Sequence, residues 1–579
     1  MVAPIAAQPE VTLPRVIDTL ADKFEAATAL VSEQENFTYR ALAERTHRYS
    51  RWAIEHGLTS GAVACLLMEN RAEYLAIWLG ITRVGGVVSL INTNLVGNSL
   101  THAIGAVAPR HLIVGANLAD AAADVVPRIA PQIRVWSHGE NGHGFARVDL
   151  EIEQTDGSVL PDDDYAAPST RDRALCIYTS GTTGLPKAAN VSHFRLMQWC
   201  NWFAGLMNTC PDDRMYNCLP MYHSVGGVVA IGATLVSGGS VVLRERFSAS
   251  RFWGDVVESK CTLFQYIGEL CRYLVNTPSH PLETKHQLRL ACGNGLRPDV
   301  WEEFKHRFRI PQILEFYAST EGNFSLYNCE GRVGAIGRIP SLLARQSPIA
   351  LVKFDHEKGE PERGADGFCI RCIPNETGEA IGKIANDRSG AIRESRFEGY
   401  TDAAASDRKI LRNVFAVGDA WFRSGDLMRR DQDGFFYFVD RVGDTFRWKG
   451  ENVSTNEVAE AITAFPGVAE AVVYGVTIPG AEGRAGMAAA VVGREFDLAA
   501  FRQHLAKRLP EYARPVFLRI LGRIEATPTF KMKKNDLSQQ AFDPAGTSDA
   551  IYFNHPSRQA FVKLDNALYD LIRSGKIRL

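Results

Sequence analysis

From Ala62 onward the sequence alternates short apolar runs with segments of helical period, and few architectures accept that rhythm. Val63 to Met68 is apolar, Arg71 to Val84 repeats as a helix does, Val87 to Leu90 is apolar again, and Leu112-Ile113-Val114 follows another helix. Alternation of this kind predicts a parallel sheet covered by helices. The rhythm returns after Lys187. A helix is expected from His193, strands at Ser240 to Leu243 and Cys261 to Tyr266, and helices at Phe252 to Glu258 and Glu269 to Leu274. The fold class is therefore α/β, with two doubly wound lobes. Upstream, residues 15 to 58 read as helices with an extended interruption near Phe37-Thr38-Tyr39, and residues 155 to 173 as a polar surface connector.

A chain of 579 residues is too long for one core. Between about 325 and 440, short apolar runs separated by glycines suit a small β-barrel-like subdomain. Asp440-Arg441-Val442-Gly443-Asp444 reads as a boundary, with Gly443 supplying backbone freedom for a hinge. The expected domains are residues 1–440 and a small α+β domain at 444–579. Its first helix is signed by a capping box, Ser454 with Glu457, and by an apolar face of Val458, Ala461, Ile462 and Phe465.

A formal net charge of −2 argues against a nucleic-acid binder. Eleven cysteines without a disulfide framework suit a reducing compartment, and Cys369 and Cys372, a lone CxxC, are expected to be free thiols. Met1 to Pro14 has neither the basic start nor the apolar core of a signal peptide. The apolar stretch Ala62 to Leu95 is broken by Glu69, Arg71, Glu73 and Arg83, so it falls short of the ~20 apolar residues of a spanning helix. The expected location is cytoplasmic, with membrane contact at most peripheral.

One loop carries phosphate chemistry. The apolar run Ala174 to Tyr178 empties into Thr179-Ser180-Gly181-Thr182-Thr183-Gly184-Leu185-Pro186-Lys187. Glycines let backbone N–H groups turn inward, hydroxyls add donors, and lysine adds charge, as a phosphate cradle requires. The spacing is not that of a P-loop, because Gly181 and Gly184 stand too close and Pro186 precedes the lysine. Four further motifs stand out: Leu219-Pro220-Met221-Tyr222-His223-Ser224, Cys292-Gly293-Asn294-Gly295, Tyr317-Ala318-Ser319-Thr320-Glu321-Gly322-Asn323 and Ser424-Gly425-Asp426.

Tyr178 to Lys187 resembles the signature of the adenylate-forming (ANL) enzymes: acyl-CoA synthetases, luciferases and peptide-synthetase adenylation domains. Gly-Asn-Gly at 293–295, the Asn323 ending and Arg447-Trp448-Lys449-Gly450-Glu451-Asn452 resemble one branch, the fatty acid transport proteins and very-long-chain acyl-CoA synthetases. The similarity runs from about residue 20 to the C-terminus. It implies ATP, Mg2+ and CoA as cofactor or co-substrates and a fatty acid as substrate. The phosphate loop, Tyr178 to Gly184 with Lys187, would hold the nucleotide's phosphates. Gly293, Asn294, Gly295, Tyr317 and Ala318 would face adenine, Thr320 the α-phosphate and Asp426 the ribose hydroxyls, and Arg441 would also reach the nucleotide. Glu321 would hold Mg2+, and His223 would stand against the carboxylate.

Thr527-Pro528-Thr529-Phe530-Lys531 resembles the C-terminal catalytic-lysine segment. Lys531 is therefore expected in adenylation and Lys449 in thioester formation, with the C-terminal domain rotating between steps. Lys533 and Lys534 read as a solvated face. From Arg502 to Lys534 nine Lys/Arg stand against two acids, a basic patch for CoA phosphates or an anionic membrane. The implied reaction is ATP-dependent activation of a fatty acid to acyl-CoA through acyl-AMP. Fatty acid uptake, a bulkier acid such as a bile acid, a carrier-loading ligase and a luciferase-type oxygenase stay open at this level.

Overall fold

The computed structural model describes residues 5, 8–180, 185–340, 342, 347–356, 358–385, 396–449, 451–479, 483–524 and 534–577. The chain parts into two compact units, Met1–Gly337 with Lys383–Leu411, and Arg338–Gly382 with Arg412–Leu579. The sequence places its boundary at 440–444, whereas the contacts group the β-rich stretch from 412 to 440 with the C-terminal segment.

The first unit holds both doubly wound lobes. One sheet has seven strands in the order Ala146–Arg147, Arg134–His138, His111–Gly115, Val63–Leu67, Val87–Leu90, Arg173–Ser180 and Pro186–Ser192. All its pairings are parallel except the last, a hairpin. The other has eight strands: Ser325–Asn328, Gln312–Ala318, Leu290–Asn294, Leu263–Ile267, Arg214–Asn217, Ser240–Leu243, Thr28–Val31 and Asn36–Thr38. It is parallel inside and antiparallel only at its two edges.

The helix Ala72–Arg83 explains the most apolar stretch of the sequence. Every one of its residues is buried, charged ones included. Glu73 accepts from Arg45 at 2.7 Å and from the Tyr49 hydroxyl at 2.6 Å, and Arg83 pairs with Asp18. Pairing is what lets charge enter such a core, since an uncompensated buried ion is strongly destabilising. Among the described residues no helix is long and apolar enough to cross a membrane.

In the second unit, Ile349–Val352, Thr377–Lys383, Ala420–Arg430 and Phe435–Arg441 are successive neighbours in an antiparallel half-barrel sheet. The C-terminal α+β part carries a five-stranded sheet ordered Val468–Val476, Ala485–Val492, Phe517–Leu521, Ala550–His555 and Ala560–Lys563. The helix Thr455–Thr463 begins where the capping box lies: the Ser454 hydroxyl accepts from Glu457 N–H at 3.2 Å and donates to Val439 O at 3.0 Å. Val458, Ala461 and Ile462 are buried beneath it. All eleven cysteines are free thiols, Cys369 and Cys372 among them.

Two surface expectations are corrected here. Arg519 does not belong to an exposed basic patch: it is buried, paired with Asp549 at 2.6 Å and bonded to Gln540 and Thr547. Its place on the strand Phe517–Leu521 turns it inward, where a charge persists only with partners. Nor is Lys534 a solvated charge. Its ammonium donates to Thr455 Oγ1 at 2.9 Å and to Asp444 Oδ2 at 3.2 Å, so it is tied to the 440–455 stretch. Beside it Asp440 is buried and accepts the Thr455 N–H at 2.6 Å. Burial raises the Asp440 carboxyl above its usual value, with the Lys534 charge opposing.

Candidate active site

The motifs of the first unit gather at strand ends, as ligand sites do in open parallel sheets. Arg173–Ser180 and Pro186–Ser192 form the hairpin that carries the phosphate loop, and Thr179 faces Lys187 across it, with Ser180 opposite Pro186. Gly181, Thr182, Thr183 and Gly184 lie outside the described residues. The expectation for Tyr178 needs correcting. Its hydroxyl bonds to Ser89 Oγ at 2.9 Å and donates to Ala103 O at 2.5 Å, in a closed core. Its side chain therefore anchors the strand and leaves only backbone to a ligand.

Gly293, Asn294 and Gly295 end a central strand, and backbone packing dictates the glycines. A Cβ on Gly293 would sit 2.3 Å from Tyr266 O, and one on Gly268 would sit 1.7 Å from Gly295 O. Gly295 itself takes φ +80°, a left-handed conformation natural to glycine. The turn is held by a carboxyl from the next strand: Glu315 Oε1 accepts from Gly295 N–H at 2.5 Å and from Leu296 N–H at 3.1 Å, while the Tyr266 hydroxyl lies 2.5 Å from Oε2. Burial pushes the Glu315 carboxyl up to about 8 despite these three bonds. Asn294 Oδ1 is buried and has no hydrogen-bond partner among the described residues.

Tyr317 and Ala318 end the adjoining strand Gln312–Ala318, with the Tyr317 ring stacked on Phe324 at 5.8 Å between centroids and Ala318 exposed. A tight turn follows, closed by Gly322 N–H to Ser319 O at 3.0 Å. The Thr320 hydroxyl lies 3.1 Å from Ser224 Oγ, so the structure brings the 317–323 motif against the His223-Ser224 pair. His223 packs against the Tyr222 ring at 4.6 Å. Glu321 is 9% exposed, and its Oε1 accepts the Tyr400 hydroxyl at 2.9 Å. A buried carboxylate anchored by Tyr400, whose ring also lies near Lys187 of the hairpin, is a donor that fits Mg2+, which takes few protein ligands.

Several residues of this site carry no sequence signal of their own. Arg195, on the first turn of the helix His193–Met207, donates to Thr320 O at 3.1 Å, to Gly322 O at 2.9 Å and to Arg396 O at 2.7 Å. Glu398 binds the N-cap of that helix, accepting from Ser192 N–H at 2.7 Å and from its hydroxyl at 2.6 Å. Tyr400, two residues on, reaches Glu321. Glu315 and Ser224 complete the set. Ser224 ends the Leu219–Ser224 motif and Glu315 stands two residues before the Tyr317 motif, whereas Arg195, Glu398 and Tyr400 lie in no motif.

In the second unit Asp426 and Arg441 are cross-strand partners, Oδ1 to Nε 3.4 Å, with Asp426 nearly buried and Arg441 50% exposed. Lys449 turns a two-strand hairpin, Phe446–Trp448 with Glu451–Val453, at φ +51°, and its ammonium is 3.5 Å from Glu511. Lys531 lies outside the described residues.

Residues 17–367 match the family described as AMP-binding enzyme, and residues 457–531 match the AMP-binding enzyme C-terminal domain. The chain belongs to this adenylate-forming family. Within it, the chain falls in the branch of the fatty acid transport proteins. It is 39% identical over 574 residues to long-chain fatty acid transport protein 1 of Mus musculus, covering 98% of this chain and 88% of the relative. It is 36% identical over 575 residues to long-chain fatty acid transport protein 6 of the same species, covering 97% and 91%. Among solved structures, the anthranilate CoA ligase AuaEII with anthranoyl-AMP matches at TM-score 0.77 and 19% identity, over 92% of this chain and 97% of that one. ATP-bound MatB from Rhodopseudomonas palustris matches at TM-score 0.76 and 22% identity, over 93% and 100%. Both show the same fold.

Proposed function

We propose that the chain converts a long- or very-long-chain fatty acid into its CoA thioester in two steps. The fatty carboxylate attacks the α-phosphorus of ATP, pyrophosphate leaves, and acyl-AMP forms. The CoA thiol then attacks the acyl carbon, its proton is lost, and AMP leaves. Activation is needed because a carboxylate anion resists a nucleophile, whereas the mixed anhydride has no such charge and a good leaving group.

The protein's task is positioning and charge neutralisation. Thr179, Lys187 and the loop between them take the outer phosphates. Tyr317 and the Gly293–Gly295 turn take adenine, and the orphaned Asn294 Oδ1 suits its exocyclic amino group. Thr320, oriented by Ser224, donates toward the α-phosphate, and His223 stands beside the entering carboxylate. Asp426 accepts the ribose hydroxyls, with Arg441 beside it. Glu321 would hold Mg2+, which when bound would neutralise phosphate charge. Lys531 serves adenylation and Lys449 the thioester step.

The observation that carries this reading is the 3.1 Å contact that joins Thr320 to the His223-Ser224 segment, next to the buried Glu321. Long-chain specificity rests on the names of the relatives, which also raise fatty acid uptake as a second role. The test is pyrophosphate and AMP release in detergent-free solution, with acids from octanoic to tetracosanoic and with bile acids, with and without CoA. Pyrophosphate release with the longer acids and CoA-dependent AMP release support the proposal. Fatty acid binding without either product supports the uptake role alone, and preference for bile acids overturns the assigned substrate.

A further inference from the structure

We propose that Tyr400 is a positioning residue for the metal-binding carboxylate, so that the strand behind the phosphate loop and Glu321 are set as one piece. The inference rests on the reading of Glu321 as the Mg2+ ligand. Tyr400 arrives from a segment that rejoins the first unit after a long excursion, and two backbone hydrogen bonds, which make one antiparallel bridge, fix it there. Tyr400 pairs with Ala189 as an isolated bridge, Asn190 N–H donates to Gly399 O at 2.9 Å, and Thr401 N–H donates to Ala188 O at 2.9 Å. The residue is 7% exposed and packs with Ala189 and Ala405.

Three groups of the site meet Tyr400. Its hydroxyl donates to Glu321 Oε1 at 2.9 Å and also meets the Thr179 side chain, and the Lys187 ammonium lies 5.9 Å from the ring centroid. Lys187 and Ala189 belong to one strand, Pro186–Ser192, so that strand carries both a phosphate-facing cation and the backbone that seats Tyr400. The hydroxyl decides which oxygen of Glu321 is engaged by protein and holds the carboxylate in one rotamer. Groups that orient a metal ligand in this way typically change metal affinity by about 10–100-fold when removed.

The experiment is calorimetric binding of ATP at a series of Mg2+ concentrations, without fatty acid or CoA, to wild type, Glu321→Gln and Tyr400→Phe. Tyr400→Phe removes one oxygen and keeps the ring. It should raise the Mg2+ concentration for half-maximal enhancement about tenfold while leaving ATP binding without Mg2+ unchanged. If Glu321→Gln shifts the Mg2+ dependence and Tyr400→Phe shifts it by less than about threefold, the Tyr400 proposal is wrong and the Glu321 reading stands. If Glu321→Gln shifts nothing, the Glu321 reading fails and the proposal with it. Folding of each variant is checked by melting. Should Tyr400→Phe not fold, Tyr400→Gln is read in the same titration against the same threshold.

Discussion

Glu315 is a carboxyl in the wrong solvent, and that has a sign. Its folded-state value, about 8, lies above the ordinary 4.5 because of burial. Between those values the folded protein keeps a proton that the unfolded chain has released. Stability contributed by this group is therefore fully present below pH 4.5, falls as pH rises toward 8, and is level above it. Glu315→Gln copies the protonated form, with an amide oxygen for the N–H groups of Gly295 and Leu296. The melting temperature of the variant should thus gain on wild type as pH rises from 4.5 to 8, in calorimetric scans. A gap that stays constant over that range would show that Glu315 is ionised throughout. The residue scale is also where sequence reading reaches its limit. Thr320 and Glu321 announce themselves in a short motif. Tyr400 is 79 positions away from the carboxylate it holds, and nothing local in its sequence says so.

At the scale of elements the sequence was more legible. Val87–Leu90, Ser240–Leu243 and Phe252–Glu258 have the bounds that their apolar periods predict. Other bounds move by a residue or two, as with Ala72–Arg83, because terminal residues answer to backbone partners rather than to burial. What periodicity does not encode is which side of a strand meets a partner, and so it shows neither the buried side chain of Tyr178 nor the inward turn of Arg519. The Thr455–Thr463 helix shows the reverse, a local signal that marks the helix start, although the helix ends before Phe465. Its cap hydroxyl both receives the Glu457 N–H and donates to Val439 O. Ser454→Ala should lower the stability of the second unit by about 1 kcal/mol, and Ser454→Asp should cost less. Urea titrations of the three proteins would measure it. Equal losses for both substitutions would mean that the helix start depends on Asp440 and Lys534 rather than on its cap.

At the scale of the whole molecule the proposed reaction makes a separable prediction about lysines. Losing one preorganised cation at a developing charge typically costs roughly 10²–10³ in rate. Lys531→Ala should abolish acyl-AMP formation yet still turn supplied acyl-AMP and CoA into thioester, and Lys449→Ala should do the opposite. Half-reaction assays decide it: a folding defect would lower both, and a defect in adenylation with Lys533→Ala instead of Lys531→Ala would shift the register. The path of the chain has a different consequence. Residues Lys383–Leu411 complete the first unit after the chain has left it at Gly337. During synthesis, which adds roughly 5–20 residues per second, that unit waits for its own last piece. Arg195 and Ser192 are made long before Glu398 exists to receive them. A nascent chain stalled at residue 367, where the main family match ends, should be open to protease, and one released past residue 411 should close. Pulse proteolysis of stalled ribosome complexes would time the event. The emerging protein thus carries its nucleotide motifs for many seconds before it owns the strut beneath them.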